Sequence, residues 1–379
     1  MRKLAILHFN PLELYPPVMN LLRCLAAQAD KDLSVRVYST RTDEEIPILE
    51  IQHPSIRIVR QGTMRTAHGI SGRPALYARY YASVSWDLFR WRPDTVLVFE
   101  TLSFLPAYLY SGWLAPRSRL MIHYHEYMSP EDYAGGMQLN KWFHKLECRS
   151  YPRTVWVSHT NADRMSRFLH DHAGLRIPHT FVVPNYPPAD WVSGQPHPIH
   201  DPLRVVYIGS LGMDSMYVAE FAQWVIAQNG KVTWDIYALH VSAEVRTWLK
   251  NLDAGPGAGL IKFKGACSYY DLPAILPGYD VGVVLYKGIV PNHVYAVSNK
   301  VLEYIAFGLD VWYAREMLGT DPYRTPDDVF PRIIPVDLTA MDRFDAEREL
   351  DRTNRHYRPS PYLCEEALAP MIKKIKEAD

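Results

Sequence analysis

Residues 281–311 read VGVVLYKGIVPNHVYAVSNKVLEYIAFGLDV, and their order of apolar run, polar loop, amphipathic stretch and second apolar run decides the fold class. Val281–Tyr286 is short and rich in valine, the mark of a buried strand. Asn299–Phe307 repeats apolar residues at helical spacing, and Gly308 stops that helix ahead of a strand at Leu309–Tyr313. Strand, helix, strand is the repeating unit of a parallel sheet covered by helices. The same alternation continues backward through strands at Arg204–Ile208, Val232–Leu239 and Leu260–Lys264, with a helix at Ser242–Leu252. Ahead of it lie strands at Leu4–Phe9, Ser34–Ser39, Thr95–Glu100, Leu120–His125 and Thr154–Ser158, and Pro16-Pro17 opens a helix, where a missing N–H loses no partner.

Between the two series, PNYPPADWVSGQPHPIHDP (184–202) can continue neither a helix nor a central strand. The expected organisation is therefore α/β, two doubly wound Rossmann-like domains at 1–190 and 204–360, joined by a Pro-rich linker at 191–203. The amphipathic segment 361–379 is expected to be a helix that packs back toward the first domain. Such sheets bind ligands at their carboxyl edges, so the site is expected in a cleft between the two.

The 379 residues carry 41 basic and 41 acidic side chains, with 48% hydrophobic and 22% charged residues. This is globular composition, and neutrality argues against a nucleic-acid partner. The balance hides an asymmetry: residues 1–190 hold 22 Lys+Arg against 17 Asp+Glu, leaving 19 against 24 for the remainder. Seven arginines fall between Arg57 and Arg92, against the single acid Asp87. Cys24, Cys148, Cys267 and Cys364 are far apart and form no CxxC pair, so neither a structural zinc site nor a disulfide framework is expected, and a cytoplasmic setting is the simplest. The N-terminus reads as a strand, and no window has the apolar length of a membrane span.

Asn299, Lys300 and Glu303 occupy the first turns of the predicted helix. Free N–H groups, the helix dipole and a lysine suit that end to a phosphate, and Glu303 to ribose hydroxyls. The spacing alone favours a solvated lysine followed by an acid in the first turn. NKVLEYIAFGLDV resembles the donor-binding helix of GT-B glycosyltransferases, especially family 4, whose pattern runs roughly P-x-K-x-x-E-x-x-A-x-G-x-P-V. LRVVYIGSLG (203–212), IKFKGACSYYDLPAILPGYDVGVVLYKG (261–288), VVPNYPP (182–188) and LECRSYPRTVWVSHTNADRM (146–165) are similar to segments of the same family in the same order.

The resemblance implies transfer of a sugar from a nucleotide-sugar donor, UDP- or GDP-linked, to a glycan or lipid-linked acceptor in polysaccharide or glycoconjugate assembly. It implies retention at the anomeric carbon, with no metal and no further cofactor. The donor is implied to lie on the second domain, with Lys300 on the diphosphate, Glu303 on the ribose, and Gly209 and Ser210 in the turn beside the phosphate. Family members usually carry a second glutamate eight residues before the first. Here that position is Tyr295, and Asn292, His293, Tyr295 and Ser298 stand nearby to serve a sugar or phosphate. The turn GSLGMDSMY also lacks the family's basic residues, which leaves Lys287, Lys300 and Lys264 to supply positive charge. Asp310 stands where relatives have proline and reads as a solvent-facing acid.

In the first domain, HYHEY (123–127) ends a strand and resembles the His-Asp or His-Glu beside the donor sugar, mapping onto His125 and Glu126. Glu126 would position the acceptor hydroxyl or serve as base if the reaction inverts. His125 also fits a hydrogen-bonded core histidine, a metal pair of His123 and His125 lacks a third ligand, and Glu100 is a weaker candidate. The predicted helix Pro74–Trp91, preceded by Arg65 and Arg73, interleaves Arg79, Arg90 and Arg92 with Trp86 and Trp91. It reads either as a packed helix or as an acceptor-side contact with an anionic membrane at its inner face. Two other functions stay open, a catalytically silent sugar-binding or interaction scaffold and a GT-B sugar-nucleotide epimerase. The sequence leaves the oligomeric state open.

Overall fold

A computed structural model describes residues 1–28, 32–42, 48–64, 73–239 and 241–377. The chain divides into two compact units, the first formed by Met1–Asn185 with Cys364–Asp379 and the second by Tyr186–Leu363.

The first unit is built on a seven-stranded sheet of β1 (Arg2–Leu7), β2 (Leu33–Thr42), β3 (Ile56–Met64), β4 (Thr95–Phe99), β5 (Arg119–Tyr124), β6 (Thr154–His159) and β7 (Thr180–Val182). Their order is β3-β2-β1-β4-β5-β6-β7, and every pairing is parallel. The direction of winding reverses between β1 and β4, which makes the carboxyl ends of those strands the switch point where open α/β sheets hold ligands. β4 and β5 are buried at every residue, as strands covered by helices on both faces must be. The helix Pro16–Ala27 starts with proline in its first turn. The terminal helix Cys364–Lys376 lies against it, with the Cys24 and Cys364 sulfurs 3.9 Å apart. Arg119 caps the end of the terminal helix by donating to the carbonyls of Lys374 at 2.7 Å and Glu377 at 2.8 Å.

The second unit holds a six-stranded sheet of β8 (Leu203–Ile208), β9 (Val232–Tyr237), β10 (Ile261–Gly265), β11 (Val281–Val284), β12 (Asp310–Ala314) and β14 (Ile333–Val336). Two-residue strands β13 (Val329–Phe330) and β15 (His356–Tyr357) pair separately. The order is β10-β9-β8-β11-β12-β14, again all parallel, with its switch point between β8 and β11. The Pro-rich stretch is packed onto this unit. Trp191 is buried against Tyr269 and Phe307, the Ser193 N–H donates to the Ala306 carbonyl, and buried Asp280 accepts from His200 and from the Arg204 N–H.

One expectation changes. Asp310 does not face solvent: it opens β12, which is paired on both sides by β11 and β14, and it is 2% exposed. Its carboxylate accepts from Arg352 Nη2 at 3.1 Å and from the Arg332 N–H at 2.7 Å. Arg57 and Arg60 belong to β3, and Arg60 forms a buried ion pair with Glu13.

Candidate active site

At the switch point of the second unit, β8 ends in Gly209 with φ of 137°, a backbone region that L side chains rarely adopt. A Cβ there would strike the Lys300 side chain, so glycine serves both conformation and space. Lys300 enters from the helix Asn299–Ala306, which follows β11. Its ammonium donates to the Tyr286 hydroxyl at 3.1 Å and lies 5.3 and 5.7 Å from the ring centres of Tyr286 and Tyr207. Tyr286 in turn stacks on His293 at 4.4 Å, and burial together with Lys300 lowers the His293 pKa. Ser298 occupies the N-cap position but its hydroxyl makes no capping bond, so the first-turn N–H groups around Asn299 and Lys300 stay open to an anion.

Glu303, one turn on, is 9% exposed, and no hydrogen-bond donor among the described residues reaches its carboxylate. Burial pushes its pKa up to about 7, with Lys300 pulling the other way. The residue is buried but its carboxylate oxygens are not sealed from solvent, so ligand hydroxyls can reach them.

The other donor-side candidates divide. Ser210 is exposed and offers its carbonyl to the Tyr207 hydroxyl. Asn292, His293 and Tyr295 lie on or just after the short helix Pro291–Val294, and Gly319 packs directly on the Tyr295 backbone. Lys287 is 3.3 Å from Glu220 and Lys264 is 3.7 Å from Asp235, so carboxylates engage both cations. Lys300 is left as the ammonium facing the Gly209 turn.

At the switch point of the first unit the organising residue is Glu100, which follows β4 with φ of 64°. Strain of this kind persists only where surrounding contacts hold it. Its Oε1 accepts from the Tyr15 hydroxyl at 2.6 Å, the His125 N–H at 2.6 Å and the Glu126 N–H at 3.2 Å. Burial and the neighbouring Glu126 carboxylate raise the Glu100 pKa to about 7 against those three donors. β5 stops at Tyr124, so His125 and Glu126 belong to a bend and not to the strand. Arg164, whose helix Ala162–Asp171 is capped by Asn161, donates to the His125 carbonyl and to Thr160. Burial first, then Arg164, drives the His125 pKa well below its usual value, so its imidazole is neutral at pH 7. His125 Nδ1 is buried without a partner, and Glu126 is exposed. His123 is held by Ser158 at 2.9 Å. Tyr15 and Arg164 carried no sequence signal, because their roles depend on contacts across more than 35 positions.

The helix Arg73–Trp91 buries Tyr80, Tyr81, Val84 and Leu88 against the sheet. Arg79, Trp86 and Arg90 are spaced seven and four apart and form one exposed line, whereas Arg73 lies off that line and Arg65 falls outside the described residues. Trp91 is half-buried, with the Arg36 guanidinium 4.4 Å above its ring. Trp86 is 60% exposed and packs on Phe89, and Phe89, Arg92, Leu114 and Arg117 line one hollow beside the 75% exposed Trp113.

No protein-family profile matches the chain, and no curated protein sequence does. Solved structures do. HepE of Anabaena in complex with UDP-glucose aligns with 99% of this chain and 96% of its own, with a TM-score of 0.63 and 14% identity. The chain has the GT-B fold. Sucrose-phosphate synthase from Thermosynechococcus elongatus aligns over 99% of this chain and 90% of its own at TM-score 0.62 and 13% identity. UDP-GlcNAc 2-epimerase from Neisseria meningitidis, bound to UDP-GlcNAc, aligns over 99% of both chains at TM-score 0.58 and 12% identity.

Proposed function

We propose that this GT-B protein is a glycosyltransferase that moves a sugar from a UDP- or GDP-linked donor onto a glycan or lipid-linked acceptor in polysaccharide or glycoconjugate assembly, with retention. The observation that carries the reading is Glu303, a buried residue whose carboxyl has no donor among the described residues, one turn from Lys300 and the helix N-terminus. A nucleoside diphosphate supplies what each group lacks: ribose hydroxyls for Glu303, and phosphate oxygens for Lys300 and the first-turn N–H groups. Breaking the bond between sugar and diphosphate builds negative charge on the leaving oxygens, which those donors stabilise where it develops. The leaving phosphate accepts the proton of the acceptor hydroxyl as the new glycosidic bond forms on the same face. On the first unit, neutral His125 and the Glu126 carboxylate, both held by Glu100, are assigned to the sugar and the acceptor.

The test is calorimetric titration with UDP, GDP, ADP, CMP and their sugars, followed by turnover with a donor alone and with glycan acceptors. Lys300→Ala is expected to weaken diphosphate binding by about 10- to 100-fold, the worth of a charge-assisted contact. Equal affinity in the variant, or preference for CMP, overturns the assignment. Conversion of the donor without acceptor identifies an epimerase, and binding without turnover identifies a scaffold.

The acceptor side is proposed to meet an anionic lipid surface through Arg79, Trp86, Phe89, Arg90, Arg92 and Trp113, placing the enzyme on the cytoplasmic face of a membrane. Aromatic rings at headgroup level and cationic heads, each worth about 1 kcal/mol, are the chemistry of such contacts. Combined Trp86→Ala, Arg90→Glu and Trp113→Ala should reduce co-sedimentation with phosphatidylserine-containing vesicles at least 10-fold. Undiminished binding removes the membrane reading and leaves the transferase reading intact.

A further inference from the structure

In the first unit, away from the groups assigned to the reaction, three metal-ligating side chains converge: His144, Cys148 and His172 place their donor atoms within 4.8 Å of one another. His144 and Cys148 stand four apart on the helix Gln138–Ser150, so they share one face, and His172 caps the end of the helix Ala162–Asp171. His144 Nε2 is 3.2 Å from His172 Nε2 and 3.6 Å from the Cys148 sulfur.

The surroundings settle which ring nitrogens carry protons. His172 Nδ1 lies 2.7 Å from the Phe168 carbonyl, which can only accept, so Nδ1 is the N–H and Nε2 keeps a lone pair. His144 Nδ1 lies 3.1 Å from the fully buried Glu147 carboxylate, so Nδ1 is again the N–H, and in the neutral ring Nε2 keeps its lone pair. Two lone pairs thus face each other at hydrogen-bond distance, which is repulsive unless a cation or an extra proton sits between them. The Glu147 carboxylate and the Cys148 sulfur favour either occupant, and the convergence of three donor atoms points to the cation. Glu147 accepts from Thr101 at 3.1 Å, but its Oε1 is buried without a partner.

We infer that His144, Cys148 and His172 form a binding site for a tetrahedral divalent cation of the zinc class. Zinc bonds of about 2.05 Å to nitrogen and about 2.3 Å to sulfur give tetrahedral edges of about 3.3 Å between nitrogens and about 3.6 Å between nitrogen and sulfur. The observed separations of 3.2 and 3.6 Å match both. Glu147 and the Phe168 carbonyl are the outer partners that orient metal-binding imidazoles, and Tyr133 stacks on His144 at 3.8 Å to fix its ring. One dication balances the Glu147 carboxylate and a Cys148 thiolate in a largely buried place. Three protein ligands leave the fourth position to water. Thr101, which anchors Glu147, follows Glu100 directly, so the site ties two helices to the switch point of the first unit. The lack of CxxC spacing hid it, because two ligands come from one helix face and the third lies 24 positions further on.

The full-length protein, stripped with chelator, is titrated with Co²⁺. One equivalent is expected to produce a thiolate-to-cobalt charge-transfer band with tetrahedral visible bands, all displaced by Zn²⁺, and Zn²⁺ should raise the melting temperature. Cys148→Ser should abolish the charge-transfer band and lower Zn²⁺ affinity at least 10-fold, while an unchanged circular dichroism spectrum and a cooperative melting transition serve as the folding control. Absence of the band and of any Zn²⁺-dependent melting shift in the wild type shows a proton-bridged histidine pair and overturns the inference. Unchanged Zn²⁺ affinity in Cys148→Ser overturns it as well. Neither outcome bears on the nucleotide site.

Discussion

At pH 8 the Glu303→Gln variant should unfold at higher temperature than the wild type while losing most of its affinity for a nucleoside-diphosphate sugar. Glu303 titrates near 7 in the folded protein against a reference value of 4.5. For an acid with a raised pKa, the unfolded chain releases its proton first as pH rises. The cost is absent below about pH 4.5, grows between there and about pH 7, and is complete above. Holding the carboxyl at about 7 in place of 4.5 corresponds to about 3 kcal/mol. Glutamine keeps the shape and removes the charge, so the variant should gain several degrees at pH 8 and nothing at pH 4. The lost carboxylate should weaken binding by about 10- to 100-fold, since hydrogen bonds to charged acceptors are worth about 1.5–3 kcal/mol. Melting curves across pH and calorimetry with a UDP-sugar measure both. Equal stability at pH 8 would show that Glu303 is satisfied within the protein, and unchanged affinity would remove its ribose role. The site is thus read as storing an unfavourable charge that the ligand relieves, a common trade between stability and function.

The second large effect is expected far from the reaction. Asp310→Ala removes the carboxylate that holds Arg352 and the Arg332 N–H, leaving a guanidinium 17% exposed and the backbone N–H just ahead of β14 without its acceptor. Breaking one side of a buried pair costs about 3–5 kcal/mol. Arg352 also donates to the His197 carbonyl at 2.7 Å, so the loss loosens the Pro-rich stretch as well as β12. Urea unfolding should show the loss, and the Asp310→Ala, Arg352→Ala double variant should cost less than the sum of the single changes. A loss below about 1 kcal/mol, or strict additivity, would show that the pair does not act as a unit.

Most of the architecture was legible because parallel strands buried on both faces are continuous apolar runs, and their connecting helices carry a 3.6-residue period. β11, β12 and the helix Asn299–Ala306 lie within a residue or two of their expected positions. The strands of the two large sheets that escaped were β3, whose arginines and Gly62 mask its alternation, β7, only three residues long, and β14, four residues containing Pro335. All three are edge strands, where one side needs no partner and the apolar signal weakens. Gly209, Lys300 and Glu303 were singled out from helix spacing and the family resemblance, and Gly209 meets Lys300 because helix Asn299–Ala306 follows β11, which neighbours β8 directly.

The residues by themselves determined the alternation of strand and helix, the break at the prolines, and the lysine and glutamate in one helix. Those are local properties, written in spacing of two, three or four positions. Only the tertiary structure decided which charges are available. It paired Lys287 with Glu220, Lys264 with Asp235 and Arg60 with Glu13, and it buried Asp310. It also placed Tyr15, Glu100, His125 and Arg164 around one strand end and brought His172 to His144 and Cys148. Charge and proton affinity depend on burial and on partners distant in the chain, and both exist only once the sheet has stacked its strands in their final order.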